Sequence, residues 1–283
     1  MPPRSRPTAR QVRVGAELRR MREAAGMTAR EAAGFLGSTS AQMSQVEAGI
    51  AGVSESRLRL LAARYGCVDD GLIDALAVMA TERTRGWWEK YRDVLPAAFL
   101  DLSELEHHAV SRRDVAVIHV PGLLQTEAYA RAVFAYMVPE LAEEDLAARV
   151  AHRMARRVIF DGGTPTPYAA VIHETALRIR VSDRAAVRAQ LEWILELSAS
   201  GLVSVRVVPF DVDGFAGASS AMMYAGSAVP QLDTVVRDAP HGTAFVDAES
   251  QLDRFRTLLH KVESSALDPQ QSRDFIHRLS KNV

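Results

Sequence analysis

Apolar side chains recur three or four residues apart in two segments near the start of the chain. They are Val14, Leu18, Met21 and Ala25 in the first segment, and Leu58, Leu61, Ala62 and Tyr65 in the second. Residues at this spacing share one side of a helix, so each set predicts a helix with one buried face. A further apolar run predicts another helix over residues 69–80.

Between these segments, two helix-start signals follow each other closely. Thr28 with Glu31, and Thr39 with Gln42, both match a capping box, in which the threonine hydroxyl and the acidic or amide side chain each accept a backbone N–H. Gly37 lies between the boxes and can adopt the left-handed conformation that ends a helix. The pattern predicts two short helices joined by a tight turn, and helices this short must bury their apolar faces against the flanking helices.

These residues resemble the helix-turn-helix of the Cro and phage-repressor type, also called the xenobiotic-response-element family. The resemblance runs through LRRMREAAGMT (18–28), LGSTSAQMSQVEAG (36–49) and LRLLAARYG (58–66). It implies that the second helix of the motif enters the major groove of double-stranded DNA. It also implies a homodimer on a two-fold related operator.

The resemblance implies a role for each outward position of the second helix. Ser40, Ala41 and Gln45 are expected to contact base edges, and Thr39 and Gln42 to lie near phosphates. The chemistry agrees, because glutamine can pair with adenine, serine with several bases, and alanine only with a thymine methyl group. The alternative is a set of ordinary helices whose polar residues only face water.

The resemblance also pairs Arg22 with Glu47, which would tie the first helix to the end of the recognition helix. The sequence departs from the family at Ala29, where a phosphate-binding glutamine is usual, and at Phe35, where a charged residue is common. We therefore expect phosphate contacts from three arginines on or beside the motif, which are Arg19, Arg20 and Arg30.

Charge is distributed unevenly along the chain. Its formal net charge is −1, yet residues 1–66 contain 11 arginines and 5 acidic residues, whereas the rest contains 23 basic and 30 acidic residues. A basic N-terminal segment followed by an acidic remainder is typical of a DNA-binding protein with a second, regulatory domain. Residues 1–11, with three prolines and three arginines, are predicted to be a disordered basic arm.

A single cysteine, Cys67, excludes an internal disulfide and makes a structural zinc site improbable. No apolar run approaches the length needed to cross a bilayer. We expect a cytoplasmic protein, associated with the nucleoid when it is bound to DNA, without a membrane partner and without a cofactor.

After residue 80 the pattern changes to a mixture of helices and strands. Helices are predicted over residues 97–111, 127–135, 185–200, 249–262 and 269–279, with another that carries Leu146, Val150, Met154 and Val158 and ends near residues 161–163. Strands are predicted over residues 115–120, 203–210, 219–224 and 233–237. The predicted organisation is an all-α domain over residues 12–80 and an α+β domain with a small sheet over residues 81–283.

The second domain resembles the C-terminal domain of WhiJ-like, antitoxin-like regulators of filamentous high-GC bacteria. The resemblance rests on VPGLLQTEAYARAV (120–133), with WWEKYRDVLP and LSELEHHA before it and HETALR and VRVVPF after it. It implies a small partner protein, often encoded by a neighbouring gene, that changes the regulator's affinity for DNA. It also implies a role in development or secondary metabolism.

Two hypotheses for the second domain remain open. A partner protein would bind the turn at Pro121, Gly122, Leu123, Leu124, Gln125 and Thr126 and the adjoining basic cluster of His152, Arg153, Arg156 and Arg157. A small-molecule ligand would instead lie among the aromatic side chains Trp87, Trp88, Tyr91 and Phe99. Core or solvated-surface roles are the simpler alternative for both sets.

No catalytic pattern is complete, so we expect no enzyme. His173 and Glu174 begin like a zinc-protease motif, but Leu177 occupies the position of the second histidine. The adjacent His107 and His108 should point to different sides of a helix. The run GASSA (217–221) lacks the last glycine of a nucleophile elbow.

Overall fold

The computed structural model describes residues 7–82, 85–161, 165–217, 221–239 and 242–283. The chain divides into two compact units, Met1–Trp87 and Trp88–Val283. The first is a set of short helices, and the second combines helices with a sheet, so the predicted fold class is confirmed. Within the described residues, no helix is long and apolar enough to cross a membrane.

The first unit consists of helices whose starts are set by polar caps. They are α1 (Ala9–Ala24), α2 (Ala29–Phe35), α3 (Ser40–Glu47), α4 (Glu55–Arg64) and α5 (Asp70–Thr81). Both predicted capping boxes are present, and Ser54 and Asp69 cap α4 and α5. The predicted helices of the motif are therefore confirmed to within one or two residues.

One boundary was wrong, because the arm predicted over residues 1–11 extends into α1. Thr8 forms a third capping box with Gln11, so the helix begins at Ala9. The reason is local: the threonine and glutamine satisfy two backbone N–H groups that would otherwise lack partners. Residues 1–6 of the arm lie outside the described residues.

The core of the first unit forms where all five helices contribute apolar side chains. Its most deeply buried large members are Leu18, Met43, Leu58, Leu61 and Leu76. Burial of each contributes roughly 1.5 to 3 kcal/mol relative to exposure. Met43 anchors α3 in this core, which leaves the opposite face of α3 to solvent.

The second unit contains seven helices and six strands among its described residues. The helices are α6 (Ala97–His108), α7 (Glu127–Ala135), α8 (Glu143–Ala155), α9 (Glu174–Arg178), α10 (Arg184–Ala199), α11 (Glu249–Ser264) and α12 (Pro269–Lys281). The strands are β1 (Ser111–Ala116), β2 (Tyr168–His173), β3 (Val203–Val208), β4 (Met222–Gly226), β5 (Thr234–Ala239) and β6 (Gly242–Val246). Short 3-10 segments at Trp87–Tyr91, Gly122–Leu124, Arg156–Phe160 and Pro230–Leu232 connect some of them.

The strands form one mixed sheet in the order β3-β2-β1-β4-β5-β6. β3, β2 and β1 are parallel, whereas β4, β5 and β6 continue from β1 as an antiparallel run. Strand β1 is therefore the junction, since it pairs in parallel with β2 and antiparallel with β4. The helices between the parallel strands supply the crossover connections that such pairing needs.

Helices cover both faces of the sheet. On one face, Ala170, Ile172 and Val205 join a core with α10 and α12, while Met223 and Ala225 meet side chains of α6. The neighbouring strand residues point the other way and pack against α11 through Leu252, Leu259 and Val262. This alternation is the two-residue period of a strand buried on both faces.

Several sequence predictions in this unit need correction. The helix predicted to residue 111 ends at His108, and the strand predicted over residues 115–120 is β1 at Ser111–Ala116. Buried Arg112 and Asp114 within β1 interrupt the apolar run on which the prediction depended. The end of the strand was placed too late, because Val117 to Val120 form no ladder.

Two further elements differ from the sequence pattern. The helix predicted to carry Val158 ends at Ala155 and continues as a 3-10 segment, in which Val158 is exposed. Strand β6 was missed, because Gly242–Val246 is a short edge strand of mostly half-buried residues. Residues 162–164 and 218–220, which include parts of the predicted helix end and of a predicted strand, lie outside the described residues.

The position of α3 against α1 depends on two glycines. A Cβ atom on Gly15 of α1 would lie 2.4 Å from the carbonyl oxygen of Glu47 and 2.6 Å from that of Val46. A Cβ atom on Gly49, whose φ is +73°, would lie 2.7 Å from the carbonyl oxygen of Gln11. Two backbones therefore touch where α1 crosses the end of α3, and only glycine fits there.

We predict opposite effects for two glycine-to-alanine changes within helices. Gly15→Ala should lower the free energy of unfolding by about 2 kcal/mol or more, since the new methyl group overlaps backbone atoms that cannot move away independently. The new methyl group of Gly34→Ala in α2 would have no atom within 4 Å. This variant should therefore raise the free energy of unfolding by about 0.5 to 1 kcal/mol. Thermal and urea unfolding measure both, and equal effects of the two variants would contradict the contact.

Candidate nucleic-acid interface

The bend between α2 and α3 is fixed by reciprocal hydrogen bonds at both helix starts. The Thr28 amide donates to Glu31 Oε2 at 2.7 Å, and the Glu31 amide donates to Thr28 Oγ1 at 3.2 Å. Thr39 and Gln42 repeat the arrangement at 3.0 and 3.2 Å. Gly37, with φ of +59°, ends α2 and lets α3 begin after Thr39.

Helix α3 presents a short polar face to solvent. Ser40, Ala41 and Gln45, the positions expected to contact bases, are all exposed, while Met43 on the opposite side is fully buried. Ser44 is also exposed, but its hydroxyl donates to the Ser40 carbonyl at 3.0 Å. The exposed set is chemically suited to a base edge, because it offers an amide, a hydroxyl and a methyl group.

The expected phosphate contacts are not equally available. Thr39 and Gln42 are exposed but use oxygen atoms in the cap, so the amide NH2 of Gln42 is the group suited to donate to a phosphate. Arg19 donates to Glu23 at 2.7 Å and Arg20 to Glu17, whereas Arg30 is exposed at the start of α2. Arg30 therefore stands out from the other two arginines as a phosphate contact.

A bidentate ion pair joins the first helix to the end of α3. Arg22 Nε lies 2.6 Å from Glu47 Oε1, and its Nη2 lies 2.9 Å from Oε2. The remaining Nη1 donates to the Met27 carbonyl at 2.6 Å. The two side chains are only 9% and 7% exposed, and the hydrogen bond to Glu47 raises the pKa of Arg22.

Tyr65, the residue directly after α4, lies within electrostatic reach of this pair. Burial, with the Glu47 carboxylate as the next cause, raises the pKa of Tyr65 to about 12. Its hydroxyl is buried and has no hydrogen-bond partner among the described residues. The phenol therefore stays neutral at any physiological pH and adds no charge to the Arg22–Glu47 pair.

Phe35 and Ala29, the two positions where the sequence departs from the pattern it resembles, have simple surroundings in the structure. The Arg64 guanidinium lies 5.3 Å from the centre of the Phe35 ring, and Phe35 is half-buried. Ala29 is the first residue of α2 and is also half-buried. The aromatic ring thus holds an arginine of α4 beside the motif.

Sequence reasoning missed a second buried pair in α1. Arg13 Nε lies 2.8 Å from Glu17 Oε1, and both residues are buried. Together with Gly15 they give α1 polar or small residues on a face that the apolar pattern did not mark. The glycine in the middle of a helical pattern was the one available signal for a close contact.

The predicted docking turn of the second unit is not a surface. Pro121, Leu123, Leu124 and Gln125 are buried, and Gly122 and Thr126 are half-buried. Gln190 bridges the turn from α10, as its side chain accepts from the Thr126 amide and donates to the Leu124 carbonyl, both at 2.7 Å. The prediction was wrong because proline and glycine mark a turn wherever it lies, and this turn lies in the core.

The adjoining basic cluster is also largely internal, contrary to the prediction. His152 and Arg156 are buried, and Arg153 and Arg157 are half-buried. Burial, followed by the nearby Arg156 and Arg153, lowers the pKa of His152 to about 3, so its imidazole is neutral. Arg153 donates to the Gln125 side chain at 2.6 Å, and Arg157 donates to the Gln125 carbonyl.

Arg156 belongs to a buried charge cluster that the sequence did not reveal. Its guanidinium donates to Glu106 of α6 at 2.8 and 2.5 Å, and Arg112 of β1 contacts the same carboxylate. Arg112 also donates to Asp114 at 3.0 and 2.9 Å, and Tyr168 of β2 donates to Asp114 at 2.7 Å. Two arginines thus balance two carboxylates where α6, β1 and the end of α8 meet.

The predicted aromatic group is only partly brought together. Tyr91 and Phe99 both place their rings edge-on to His152, at 5.0 and 5.6 Å between centroids. Trp88 is buried against His107 at 5.1 Å, while Trp87 falls in the first unit. These aromatic side chains therefore take part in packing around the two histidines.

The histidines considered for catalysis have other contacts. His173 hydrogen-bonds Thr175 and stacks on Phe215, while buried Glu174 accepts from the Phe210 amide at 2.7 Å. The rings of His107 and His108 contact each other at 4.8 Å, so they do not point to different sides as predicted. No group of three metal-binding side chains occurs in the described part of the chain. Ser219 and Ser220 of the GASSA run lie outside it.

Comparison with known families finds a match in each unit. A family described as "Helix-turn-helix domain" matches residues 13–76, and a family described as "Domain of unknown function (DUF5753)" matches residues 99–278. No curated protein and no solved structure shows a significant match to the chain. The first match spans the Gly15 contact, the motif and the Arg22–Glu47 pair.

We predict that Glu47→Ala lowers the free energy of unfolding by about 3 kcal/mol, because it leaves a buried guanidinium without its carboxylate. Glu55→Ala, which removes an exposed partner of Arg59, should change the free energy of unfolding by less than about 1 kcal/mol. Urea unfolding of both variants measures the difference. If Glu47→Ala unfolds like the parent while DNA binding is lost, the residue acts on DNA and not on the fold.

Proposed function

The chain belongs to the DUF5753 family and is a DNA-binding helix-turn-helix regulator, and from this premise we propose that it binds a two-fold related operator as a homodimer under the control of a partner protein. The observation that supports the DNA-binding step best is the exposed face of α3. Ser40, Ala41 and Gln45 lie on a helix whose opposite face is fixed by Met43, Gly15 and the Arg22–Glu47 pair. A recognition element has to be rigid in this way if base contacts are to be specific.

The proposed homodimer follows from the size of the reading surface. A single domain with one exposed helix face contacts only a few base pairs, and specific protein–DNA complexes generally bury more surface than that. Two copies related by a two-fold axis would read half-sites about one helical turn apart. We therefore propose a palindromic operator on chromosomal DNA in the cytoplasm.

The proposed partner protein follows from the resemblance of the second unit to WhiJ-like, antitoxin-like regulators. In this proposal the second unit is an interaction module and not an enzyme, and a small protein encoded by a neighbouring gene changes the affinity for DNA. Its role would lie in development or secondary metabolism. A bound small molecule is the alternative effector, and the Tyr91, Phe99 and His152 cluster is where the aromatic side chains converge.

We predict that base and phosphate contacts separate in one titration series. Gln45→Ala should weaken binding to the cognate operator by roughly 1 to 3 kcal/mol and hardly change binding to scrambled duplex. Arg30→Ala should weaken both equally and reduce the magnitude of the salt slope by about 1. Fluorescence anisotropy with both duplexes at several salt concentrations measures these quantities.

Two controls complete this series. Arg19→Ala tests whether an arginine held by Glu23 contributes less to the salt slope than Arg30 does. Light scattering of the operator complex should give two chains per duplex. Equal losses on operator and scrambled DNA for Gln45→Ala would mean that α3 is not the reading helix, and one chain per operator would refute the dimer.

We predict that a small open reading frame lies beside this gene, and that its purified product copurifies with the full chain and shifts its affinity for operator DNA. A helix-turn-helix unit alone, residues 7–82, serves as the control and should not bind that product. Failure of the product to bind the full chain, together with a ligand-induced rise in melting temperature in its absence, would favour the small-molecule alternative.

A further inference from the structure

The two edges of the sheet in the second unit differ. At one edge, the backbone of Val207 in β3 is satisfied from outside the sheet, since its amide donates to Ser272 Oγ at 2.9 Å and its carbonyl accepts from the Leu267 amide at 2.8 Å. Arg206 Nε donates to the Leu267 carbonyl at 3.0 Å beside it. At the other edge, β6 pairs only with β5 among the described residues. The sheet is therefore closed at Val207 and open beside β6.

The ladder between β5 and β6 determines which backbone groups of β6 point outward. Ala239 and Gly242 are the last pair and are separated by two residues in the chain, so they exchange hydrogen bonds with each other. Alternation along an antiparallel pair then directs the N–H and C=O groups of Ala244 toward β5, and those of Thr243 and Phe245 away from it. Within the described part of the chain, those outward groups form no backbone hydrogen bond.

Strand β6 lacks the features that usually prevent an edge strand from pairing. Its sequence, GTAFV, contains no proline and no charged residue. Ala244, at the centre of the strand, is exposed. An extended backbone can therefore approach the outer side of β6 without displacing a charge or a bulky side chain.

Both apolar layers of the sheet end half-covered near β6. On the face covered by α6, Leu105 and Phe245 are half-buried, and on the face covered by α11, Val246 and Phe255 are half-buried. The layer near β3 is different, because Ile276 of α12 is fully buried there. A sheet that continued past β6 would bury more of these side chains, and burial of apolar area is the main favourable contribution to association.

We propose that β6 pairs antiparallel with β6 of a second copy of this chain, so that the sheets of two second units become one continuous sheet; this names the interface of the homodimer proposed above and rests on that proposal. The two-fold axis passes beside Ala244. In this register Thr243 of each copy lies opposite Phe245 of the other, and each such pair exchanges both of its backbone hydrogen bonds.

A second copy suits this edge for reasons of geometry. With the register centred on Ala244, every outward N–H and C=O group of one β6 has its partner on the other. The two Ala244 residues form a non-hydrogen-bonded pair, in which Cα atoms approach to about 4.5 Å, and their methyl groups are small enough for this distance. Threonine opposite phenylalanine is a favourable cross-strand pair. The two-fold axis also closes the assembly at two copies.

The test uses the full chain in the absence of DNA. Sedimentation equilibrium at several protein concentrations measures the dissociation constant of the dimer. Ala244→Lys places like charges opposite each other across the axis, next to Arg237 of each copy. Ser204→Lys is the matched control, because it adds the same charge at an exposed position of β3. Thermal unfolding checks that both variants retain the fold.

Cysteine variants test the register. In a Cys67→Ser background, which removes the native thiol, Ala244→Cys should form a disulfide between two copies under oxidising conditions. Opposed Cα atoms about 4.5 Å apart lie within the reach of a disulfide. Ser204→Cys in the same background is the control and should not cross-link.

We expect the parent chain to be a dimer without DNA. Ala244→Lys should raise the dissociation constant about tenfold, and Ser204→Lys should leave it unchanged. Any of three results would overturn the proposal: a parent chain that is monomeric at every concentration, equal effects of the two lysine variants, or a dimer that Ala244→Cys does not cross-link.

Failure of the wider proposal looks different. A parent chain that dimerises through β6 but binds its operator as one chain would refute the two-fold operator complex and leave this interface in place. Two chains per operator for a parent that is monomeric without DNA, with no change in Ala244→Lys, would place the contact between copies elsewhere and refute the pairing of β6.

Discussion

The contact between α1 and the end of α3 determines what the first unit can do. Gly15 lets the two backbones touch, and the buried pair of Arg22 and Glu47 fixes the rotation of α3 about its own axis. Neither feature lies on the exposed face of α3. The exposed positions Ser40, Ala41 and Gln45 are nevertheless placed by them, since a helix of eight residues has too little surface of its own to hold a fixed orientation.

In the second unit, buried charged side chains likewise fix how helices and strands meet. Glu106, Arg112, Asp114, Arg156 and Tyr168 bring α6, the junction strand β1, β2 and the end of α8 into one charge-balanced cluster. Desolvating such groups is costly, and an apolar replacement is often as stable, so the cluster contributes more to fixing which elements meet than to net stability.

The sequence predicted the first unit well because its signals are local. Threonine caps, Gly37 and apolar residues at helical spacing lie within a few residues of the structure they specify. The second unit was harder to predict, since Arg112 and Asp114 lie in a buried strand where polar residues argue against burial. The Pro121–Gly122 turn has the same composition as a surface turn, and only Gln190, far along the chain, satisfies its backbone in the core. Contacts of that kind leave no local pattern.

The order of the strands has a consequence for synthesis on the ribosome. Strand β1 pairs with β4, which lies more than a hundred residues later in the chain. The backbone amide of Val207 in β3 donates to the hydroxyl of Ser272 in α12. The sheet therefore lacks essential partners until nearly the whole chain has emerged, whereas the helical unit needs only its first eighty or so residues. A nascent chain would therefore complete its helix-turn-helix unit well before the sheet of the second unit can form, so the DNA-binding unit exists for a time beside an unfinished second unit.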